Sequence, residues 1–356
     1  MESPETWRSF FKIYTTLWRR NFYTEMLNSN NECEDIMKIT FFEITNLEKE
    51  RFEKELQGHD VVFFEEKIQD VNTDKFSSSE VLCVFIHSRV SEDILSKCPN
   101  LKLVATRSTG VDHIDQKYCQ NNNIQIKNVP LYGENTVAEH VFALMLSISR
   151  RIEKSINRTK SGNFSTNGLQ GFDLKDKTIG LIGGGRIGMH VARIARSFGM
   201  HVRVYDINKD DFMAEVLNFK YVSLDELLAT SDIISLHVPQ NKYTENIISK
   251  ETIQKMKDGV VIINTARGGL IDTDALIEAI DNKKISGAGL DVIAGEELLF
   301  EENIFNSPTS SAAQLISQSK RLVDNENVVI TPHNAFNSIE AVNRIIDTTV
   351  ENILNV

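Results

Sequence analysis

Three polar side chains, Arg267, Glu296 and His333, each follow an apolar run typical of a buried β-strand. Taken alone, each residue also has a non-catalytic explanation. Arg267 could form a surface ion pair, Glu296 could be an ordinary loop acid, and His333 could be a buried structural histidine. Together they fit one chemistry. An arginine binds a carboxylate bidentately, a histidine exchanges a proton with a hydroxyl group near neutral pH, and a nearby carboxylate stabilises the imidazolium. We therefore expect a site that holds a carboxylate substrate and moves a proton.

A glycine-rich turn adds a second kind of chemistry. The strand-like run Thr178–Ile182 leads into Gly183-x-Gly185-x-x-Gly188, and a helix pattern from Met189 to Phe198 follows. In a strand–turn–helix unit, such glycines permit a tight turn and a close backbone approach to a pyrophosphate, which the free N–H groups of the helix bind. This context disfavours the alternative, a flexible turn that binds nothing.

Asp206 indicates which dinucleotide is bound. It lies 18 residues beyond Gly188, at the end of the next apolar run, where a carboxylate accepts hydrogen bonds from both ribose hydroxyls. A 2′-phosphate would be repelled there, so the sequence favours NAD over NADP. We expect no metal ion.

Strands and helices that alternate along the chain must position these residues. The pattern predicts an α/β fold with two doubly wound units, Rossmann- or flavodoxin-like. A polar surface excursion is expected at Ser307–Asp324, and Ser338 is expected to cap a last helix. The predicted strands are Ile39–Ile44, Val61–Phe64, Val81–Ile86, Leu103–Thr106 and Ile124–Lys127, then Thr178–Ile182, Val202–Tyr205, Ile233–Val238, Val260–Asn264, Gly287–Val292 and Val328–Thr331.

Eight motifs resemble those of the D-isomer-specific 2-hydroxyacid dehydrogenases, particularly the D-lactate dehydrogenase-like branch. They are ATRSTGVDHID, NVPLYGENTVAEH, GLIGGGRIG, VYD, LHVP, NTARGG, GLDV with Glu296, and TPHNAF, in the expected order between Met37 and the end. The resemblance implies an NAD-dependent oxidoreductase that interconverts a 2-keto acid and a D-2-hydroxy acid. Arg267 would bind the substrate carboxylate, His333 would be the general acid/base, and Glu296 would be its partner.

The resemblance also implies contacts to cofactor and substrate. Asp291 would face the nicotinamide, although a helix cap is an alternative. The cofactor-binding residues would be Gly183, Gly185, Arg186, Ile187, Gly188, Asp206, His237, Pro239, Thr265, Ala266 and Asp291. The substrate would contact Thr109, Gly110, Tyr132, Arg267 and Phe336. Thr109 and Gly110 directly precede a helix expected to begin at Val111. His87 and Arg89 are weaker candidates for the rim of the same substrate pocket.

Two domains follow from the same resemblance. Residues 37–133 and 333–356 would form a split substrate-binding domain, and residues 134–332 would form an inserted NAD-binding domain. Closure about crossings near Glu134 and Pro332 would exclude water from the cleft. The helix after Glu139 is apolar nearly all round, so we expect it between domains or subunits, consistent with a homodimer through the NAD-binding domain.

Composition limits the cellular setting and the partners. The 356 residues carry a net charge of −11, which disfavours binding to nucleic acid or to an anionic membrane. Four cysteines without a CxxC pair fit the reducing cytoplasm. Residues 1–36 predict a helix and a polar linker that contain both tryptophans, Trp7 and Trp18. This extension is either a non-catalytic amphipathic appendage that docks on a partner or sequence upstream of a true start at Met37.

The exact substrate stays open at this point. Glu296 argues against a formate dehydrogenase, which has Gln there, and only 23 residues follow His333, too few for the regulatory domain of many phosphoglycerate dehydrogenases. D-Lactate or a larger D-2-hydroxy acid is the leading expectation, with glyoxylate, hydroxypyruvate and branched-chain keto acids as alternatives. The rival function is an NAD(H)-sensing, corepressor-like module with the same fold and little turnover.

Overall fold

The computed structural model describes residues 36–296 and 310–356, which form two parallel β-sheets covered by helices. Five strands build the first sheet in the order β2-β1-β3-β4-β5, and seven build the second in the order β12-β11-β10-β9-β6-β7-β8. The expectation of a doubly wound α/β fold is confirmed. The helix expected around Trp7 and Trp18 lies outside the described residues.

Apolar residues on both faces of its strands bury the first sheet. In β1, Phe41 packs on Phe52 of the first helix with ring centroids 4.5 Å apart, while its neighbour Phe42 packs edge-on against Phe76 on the other face. Such two-sided burial is typical of parallel strands. The elements are β1 (Lys38–Phe41), α1 (Asn46–Glu55), β2 (Asp60–Phe63), β3 (Val81–Val84), α2 (Glu92–Leu95), β4 (Leu103–Thr106), α3 (Gln116–Asn121) and β5 (Gln125–Lys127), with short 3₁₀ turns at Ile68–Asp70 and Thr73–Lys75.

The second sheet contains the glycine-rich turn and all three candidate catalytic loops. Its strands are β6 (Thr178–Ile182), β7 (His201–Tyr205), β8 (Lys220–Tyr221), β9 (Ile233–Leu236), β10 (Val260–Asn264), β11 (Ile285–Leu290) and β12 (Val328–Ile330). The accompanying helices are α4 (Glu134–Ser149), α5 (Ile152–Lys160), α6 (Arg186–Ser197), α7 (Asp211–Val216), α8 (Leu224–Thr230), α9 (Lys250–Gln254), α10 (Thr273–Asp281) and α11 (Ser310–Val323), with a 3₁₀ turn at Gly268–Leu270. No helix in residues 36–296 and 310–356 is long and apolar enough to cross a membrane.

The last helix, α12 (Ile339–Leu354), returns to the first sheet. Ile346, Val350 and Ile353 share a hydrophobic core with Phe41, and Ser338 caps the helix by accepting the Ala341 N–H. The chain therefore crosses from the first sheet to the second through α4 and crosses back after β12.

Most of the apolar surface of α4 is buried within the chain itself. Val141 and Met145 are fully buried in a core shared with α6, β6 and β10, and Ala143 is the one exposed apolar residue of the helix. The expectation that α4 needs burial on nearly every side agrees with these contacts. The second sheet of the same chain covers much of the apolar surface of α4.

Two elements differ from the sequence-based expectation. Only a surface excursion was expected at Ser307–Asp324, whereas residues 310–323 form α11. The reason is tertiary: Leu322 is buried in the core, and Gln318 donates a hydrogen bond to Asp274 of α10 at 2.7 Å. The edge strand β8 was not predicted, because two residues are too few to show strand alternation.

Candidate active site

Three neighbouring strand ends bring Arg267, Glu296 and His333 to one edge of the second sheet. Strands β10, β11 and β12 are adjacent, with Asn264 paired to Leu290 and Leu290 paired to Ile330. The loops beyond these pairs are in contact, since a Cβ added to Gly268 would lie 2.2 Å from the carbonyl carbon of Ile293.

His333 and Glu296 form a close pair. Nδ1 of His333 lies 2.7 Å from Oε1 of Glu296, and the two side chains are only 21% and 20% exposed. The second carboxylate oxygen of Glu296 accepts the Ile293 N–H at 3.2 Å. Because Nδ1 is engaged by the carboxylate, Nε2 is the ring nitrogen left to exchange a proton with a substrate.

Asp291 holds the turn that carries His333. His333 has a left-handed backbone, φ 50°, and its N–H donates to the Asp291 carbonyl at 2.9 Å. The Asp291 carboxylate accepts the N–H groups of Asn334 and Ala335 at 2.8 and 2.9 Å and the Thr331 hydroxyl. The expected contact between Asp291 and the nicotinamide stays a prediction, because the contacts seen here lie within the protein.

The alternative that Asp291 caps a helix is wrong. Its carboxylate accepts hydrogen bonds from the irregular turn at Thr331–Ala335, and the helix that follows this turn begins at Ile339 with Ser338 as its cap. Burial raises the pKa of the Asp291 carboxyl, but the hydrogen bonds it accepts outweigh that effect and hold the pKa below its ordinary value. Asp291 is therefore ionised at neutral pH.

Arg267 follows β10 of the second sheet, and its side chain contacts the loop that follows β4 of the first sheet, across the cleft between the two sheets. Its Nη1 donates to the Ala266 carbonyl at 2.7 Å and its Nε to Asp112 at 3.3 Å, while a Cβ added to Gly110 would lie 2.0 Å from Nη2. Within the described ranges, the N–H groups of Thr109 and Gly110 donate to no other residue. Guanidinium and free N–H groups together form a place that suits a carboxylate.

The helix expected to begin at Val111 is not formed. Val111 to Ile114 make a turn, Ile114 bridges to Val90, and α3 begins only at Gln116. Asp115 decides this start, because its carboxylate accepts the Tyr118 N–H at 2.9 Å as an N-cap. The Thr109–Gly110 segment therefore offers backbone donors without a helix dipole.

Aromatic rings border the same space. Burial raises the pKa of Tyr132, although the charge of Arg267 and a hydrogen bond with Thr109 act in the opposite direction. Phe336 packs edge-on against Phe85 with ring centroids 5.2 Å apart. Sequence reasoning did not select Phe85 or Asp112 as site residues. Phe85 directly follows β3, and Asp112 lies within the ATRSTGVDHID motif after β4.

The ring of His87, one of the two weaker candidates for the substrate pocket, lies near the pair of His333 and Glu296. The ring centroids of His87 and His333 lie 6.4 Å apart. The backbone N–H of Arg89 donates to the Gln69 side-chain oxygen at 2.9 Å. Burial, the largest effect, lowers the pKa of His87.

The glycine turn has the geometry that a dinucleotide requires. Gly183 has φ 109°, and a Cβ there would lie 2.6 Å from the His237 carbonyl oxygen, whereas a Cβ on Gly188 would lie 2.2 Å from the Gly183 oxygen. Gly185 has open space above it and is the N-cap of α6, with no side chain capping the helix. The first N–H groups of α6, from Arg186 and Ile187, are therefore free to bind phosphate.

The remaining cofactor candidates line the same edge of the sheet. Asp206 accepts N–H groups from Gly184 and Asn208 at 2.6 and 2.7 Å, which places its carboxylate beside the turn. Burial lowers the pKa of His237 to about 3, so its ring is neutral at physiological pH. Thr265, next to Ala266, has a buried hydroxyl without a partner among the described residues, as expected of a group that binds a ligand.

Pro239 and Arg186 occupy the open rim of this cleft. Pro239 is exposed beyond β9, and Arg186 has a side chain that is 71% exposed and lies 3.9 Å from Glu134. Free helix N–H groups, an open glycine and an unpartnered hydroxyl all fit a bound dinucleotide. The fold and this cleft define a dinucleotide-binding enzyme.

Comparisons with known proteins agree with this class. The model of the NAD binding domain of D-isomer specific 2-hydroxyacid dehydrogenases matches residues 142–335. A 2-hydroxyacid dehydrogenase homolog from Haemophilus influenzae is 38% identical over 323 residues, 89% of this chain and 95% of the relative. An aromatic 2-oxoacid reductase from Clostridium sporogenes is 41% identical over 254 residues, 71% of this chain and 75% of the relative.

A solved structure gives the same answer. The D-lactate dehydrogenase of Aquifex aeolicus, complexed with NAD and lactic acid, superposes with a TM-score of 0.81 and 37% identity, covering 88% of this chain and 94% of that one. The chain belongs to the D-isomer specific 2-hydroxyacid dehydrogenase family. It is an NAD-dependent 2-hydroxyacid dehydrogenase, or 2-oxoacid reductase when the reaction is written in the opposite direction.

Proposed function

We propose that the protein interconverts a 2-keto acid and a D-2-hydroxy acid of the pyruvate and D-lactate type, with His333 as general acid/base. The observation that carries this proposal is the 2.7 Å distance between Nδ1 of His333 and Oε1 of Glu296. Glu296 follows β11, which is adjacent to β10, the strand that precedes Arg267. NADH, when bound, supplies the hydride that C2 of the keto acid accepts. His333 donates the proton that the C2 oxygen takes up, so that hydride and proton together complete the hydroxy acid.

Arg267 and the Thr109–Gly110 backbone hold the substrate in this proposal. The guanidinium binds the carboxylate, and it also stabilises the negative charge that develops on the C2 oxygen. Glu296 stabilises the imidazolium before it gives up its proton. In the reverse direction His333 removes the hydroxyl proton, and Glu296 then faces the newly formed imidazolium.

Aromatic side chains would contact the side chain attached to C2, which in pyruvate is the C3 methyl group. Phe85, Phe336 and Tyr132 supply apolar surface beside the carboxylate position. Such surface accepts a methyl group and gains contact area with a larger side chain. Relatives named for lactate and for aromatic 2-oxoacids support both sizes, and glyoxylate, hydroxypyruvate and branched-chain keto acids stay in the test panel.

The domain arrangement belongs to the same proposal. Residues 37–133 with 333–356 would form the substrate domain, and residues 134–332 the NAD-binding domain. The contact of Arg267 with Asp112 and Gly110 spans the two parts, which supports closure over the substrate. We further propose a cytoplasmic homodimer that assembles through the NAD-binding domain. The buried cysteines, Cys83, Cys98 and Cys119, are all free thiols, which suits a reducing compartment.

The test is NADH oxidation by the full chain with a panel of 2-keto acids, followed by chiral analysis of the product. The expected result is turnover with pyruvate or a larger keto acid and a product of D configuration. Tight NADH binding without reduction of any keto acid would instead favour the NAD(H)-sensing alternative. An L product would contradict the proposed placement of substrate between Arg267 and His333.

A further inference from the structure

His140 lies in the first half of α4, beside the carboxylate that holds the His333 turn. Its Nε2 atom lies 2.9 Å from the Thr331 hydroxyl and 3.3 Å from Oδ1 of Asp291. The His140 side chain is 17% exposed, and that of Asp291 is 0% exposed. Because an ionised carboxylate can only accept hydrogen bonds, Nε2 of His140 carries the hydrogen.

The turn that follows Thr331 depends on these contacts. His333 keeps its left-handed backbone, φ 50°, only while the surrounding groups hold it there. The holding groups converge on Asp291, which accepts from the Thr331 hydroxyl and from the two N–H groups beyond His333. A buried carboxylate that loses one donor is under-satisfied, and the turn is then free to shift.

The contact also joins the two chain crossings between the sheets. α4 carries the chain from the first sheet to the second, and Thr331 directly follows β12, where the chain turns back. A hydrogen bond from His140 to Thr331 therefore fixes the return crossing relative to α4. Displacement of this crossing moves His333 away from its position beside Glu296.

We propose that His140 is a positioning residue for His333, acting through Thr331 and Asp291. The inference rests on the proposed role of His333 as general acid/base. His140 itself lies beyond the catalytic pair and exchanges no proton with the substrate. Its contribution is geometric, and a misplacement of reacting groups by about 1 Å costs up to about 10²-fold in rate.

Amide substitutions separate a positioning role from simple packing. The amide nitrogen of glutamine reaches about as far as Nε2, whereas that of asparagine reaches only about as far as Nδ1. We expect His140→Ala and His140→Asn to lower kcat by about 10- to 100-fold, while His140→Gln stays within about threefold of wild type. Affinity for NADH, measured by fluorescence titration, should be unchanged in all three variants.

If variants at His140 do not fold, two variants at its partner Thr331 still test the proposal. Thr331→Ser retains the hydroxyl and should keep wild-type kcat, whereas Thr331→Val should lose about as much as His140→Ala. Equal kcat in all variants, or equal loss in His140→Gln and His140→Ala, overturns the proposal. A wild-type protein that reduces no keto acid would refute the proposed function itself, and that result is visible before any variant is made.

Discussion

Nδ1 of His333 lies 2.7 Å from Oε1 of Glu296, and both side chains are about four-fifths buried. The two residues follow β12 and β11, which are adjacent strands, so the sheet itself brings them together. A carboxylate in this position fixes the ring orientation and leaves Nε2 as the ring nitrogen that can exchange a proton. In the proposed mechanism, the fold therefore places this pair where it can exchange a proton with the substrate.

Glu296→Gln tests the charge of the partner. The amide can still accept a hydrogen bond from Nδ1, but it no longer stabilises a charged ring. We expect kcat for keto-acid reduction at neutral pH to fall by about 10- to 100-fold, because the ring that donates the proton loses its stabilising carboxylate. Steady-state kcat of both proteins measures this, and equal values would show that the carboxylate charge is unimportant.

Arg267→Lys tests the grip on the substrate carboxylate. Lysine keeps the charge but cannot form the two parallel hydrogen bonds of a guanidinium. We expect kcat/KM for the keto acid to fall by about 10²-fold, with most of the loss in KM. The matched control is Arg150→Lys, an exposed arginine at the end of α4. An unchanged KM in Arg267→Lys would place the substrate carboxylate elsewhere.

Asp206→Ser tests cofactor choice. Removal of the carboxylate removes the repulsion of a 2′-phosphate and the acceptor for the ribose hydroxyls. We expect the preference for NADH over NADPH, as a ratio of kcat/KM values, to fall by at least about tenfold. Asp211→Ser removes an exposed acid from the next helix and should leave the ratio as it is. A constant ratio in Asp206→Ser contradicts the ribose assignment.

Acid sensitivity of the fold is predicted from His113. Burial, the largest effect, lowers its pKa to about 4. An unfolded histidine titrates near about 6.5, so between these values the unfolded chain binds more protons and stability falls as the pH drops. Urea unfolding at pH 7 and at pH 5 measures the effect. Between these two pH values, the free energy of unfolding should fall by about 2 kcal/mol less in His113→Gln than in the wild type. His201→Gln, at an exposed position, is the control and should follow the wild type.

Strand alternation and turn residues predicted the sheets and the positions of Arg267, Glu296 and His333. These features are local: short apolar runs end at polar residues, and parallel strands place those ends at one edge. The helix start expected at Val111 is wrong, because Ile114 bridges to Val90 and Asp115 caps the helix that begins at Gln116. The partner in this bridge lies more than 20 residues away along the chain, so no local pattern predicts it.

Other features depend on contacts that no local pattern encodes. A serine-rich sequence forms α11 because Leu322 and Gln318 pack onto the body of the protein. Asp291 was expected to face the cofactor, and its internal role is visible only once the turn at Thr331–Ala335 is placed beside β11. His140 gives no sign of its role in the sequence, because its partners lie about 150 to 190 residues away along the chain.

His333→Ala tests the central claim most directly. Steady-state NADH oxidation with the best keto acid of the panel should fall by about 10²- to 10⁴-fold, because the general acid/base is lost. The Kd for NADH, measured on the same sample, should stay within about twofold of wild type, because the dinucleotide binds at the glycine turn. Wild-type turnover in His333→Ala, or a parallel loss of NADH binding, would contradict the account.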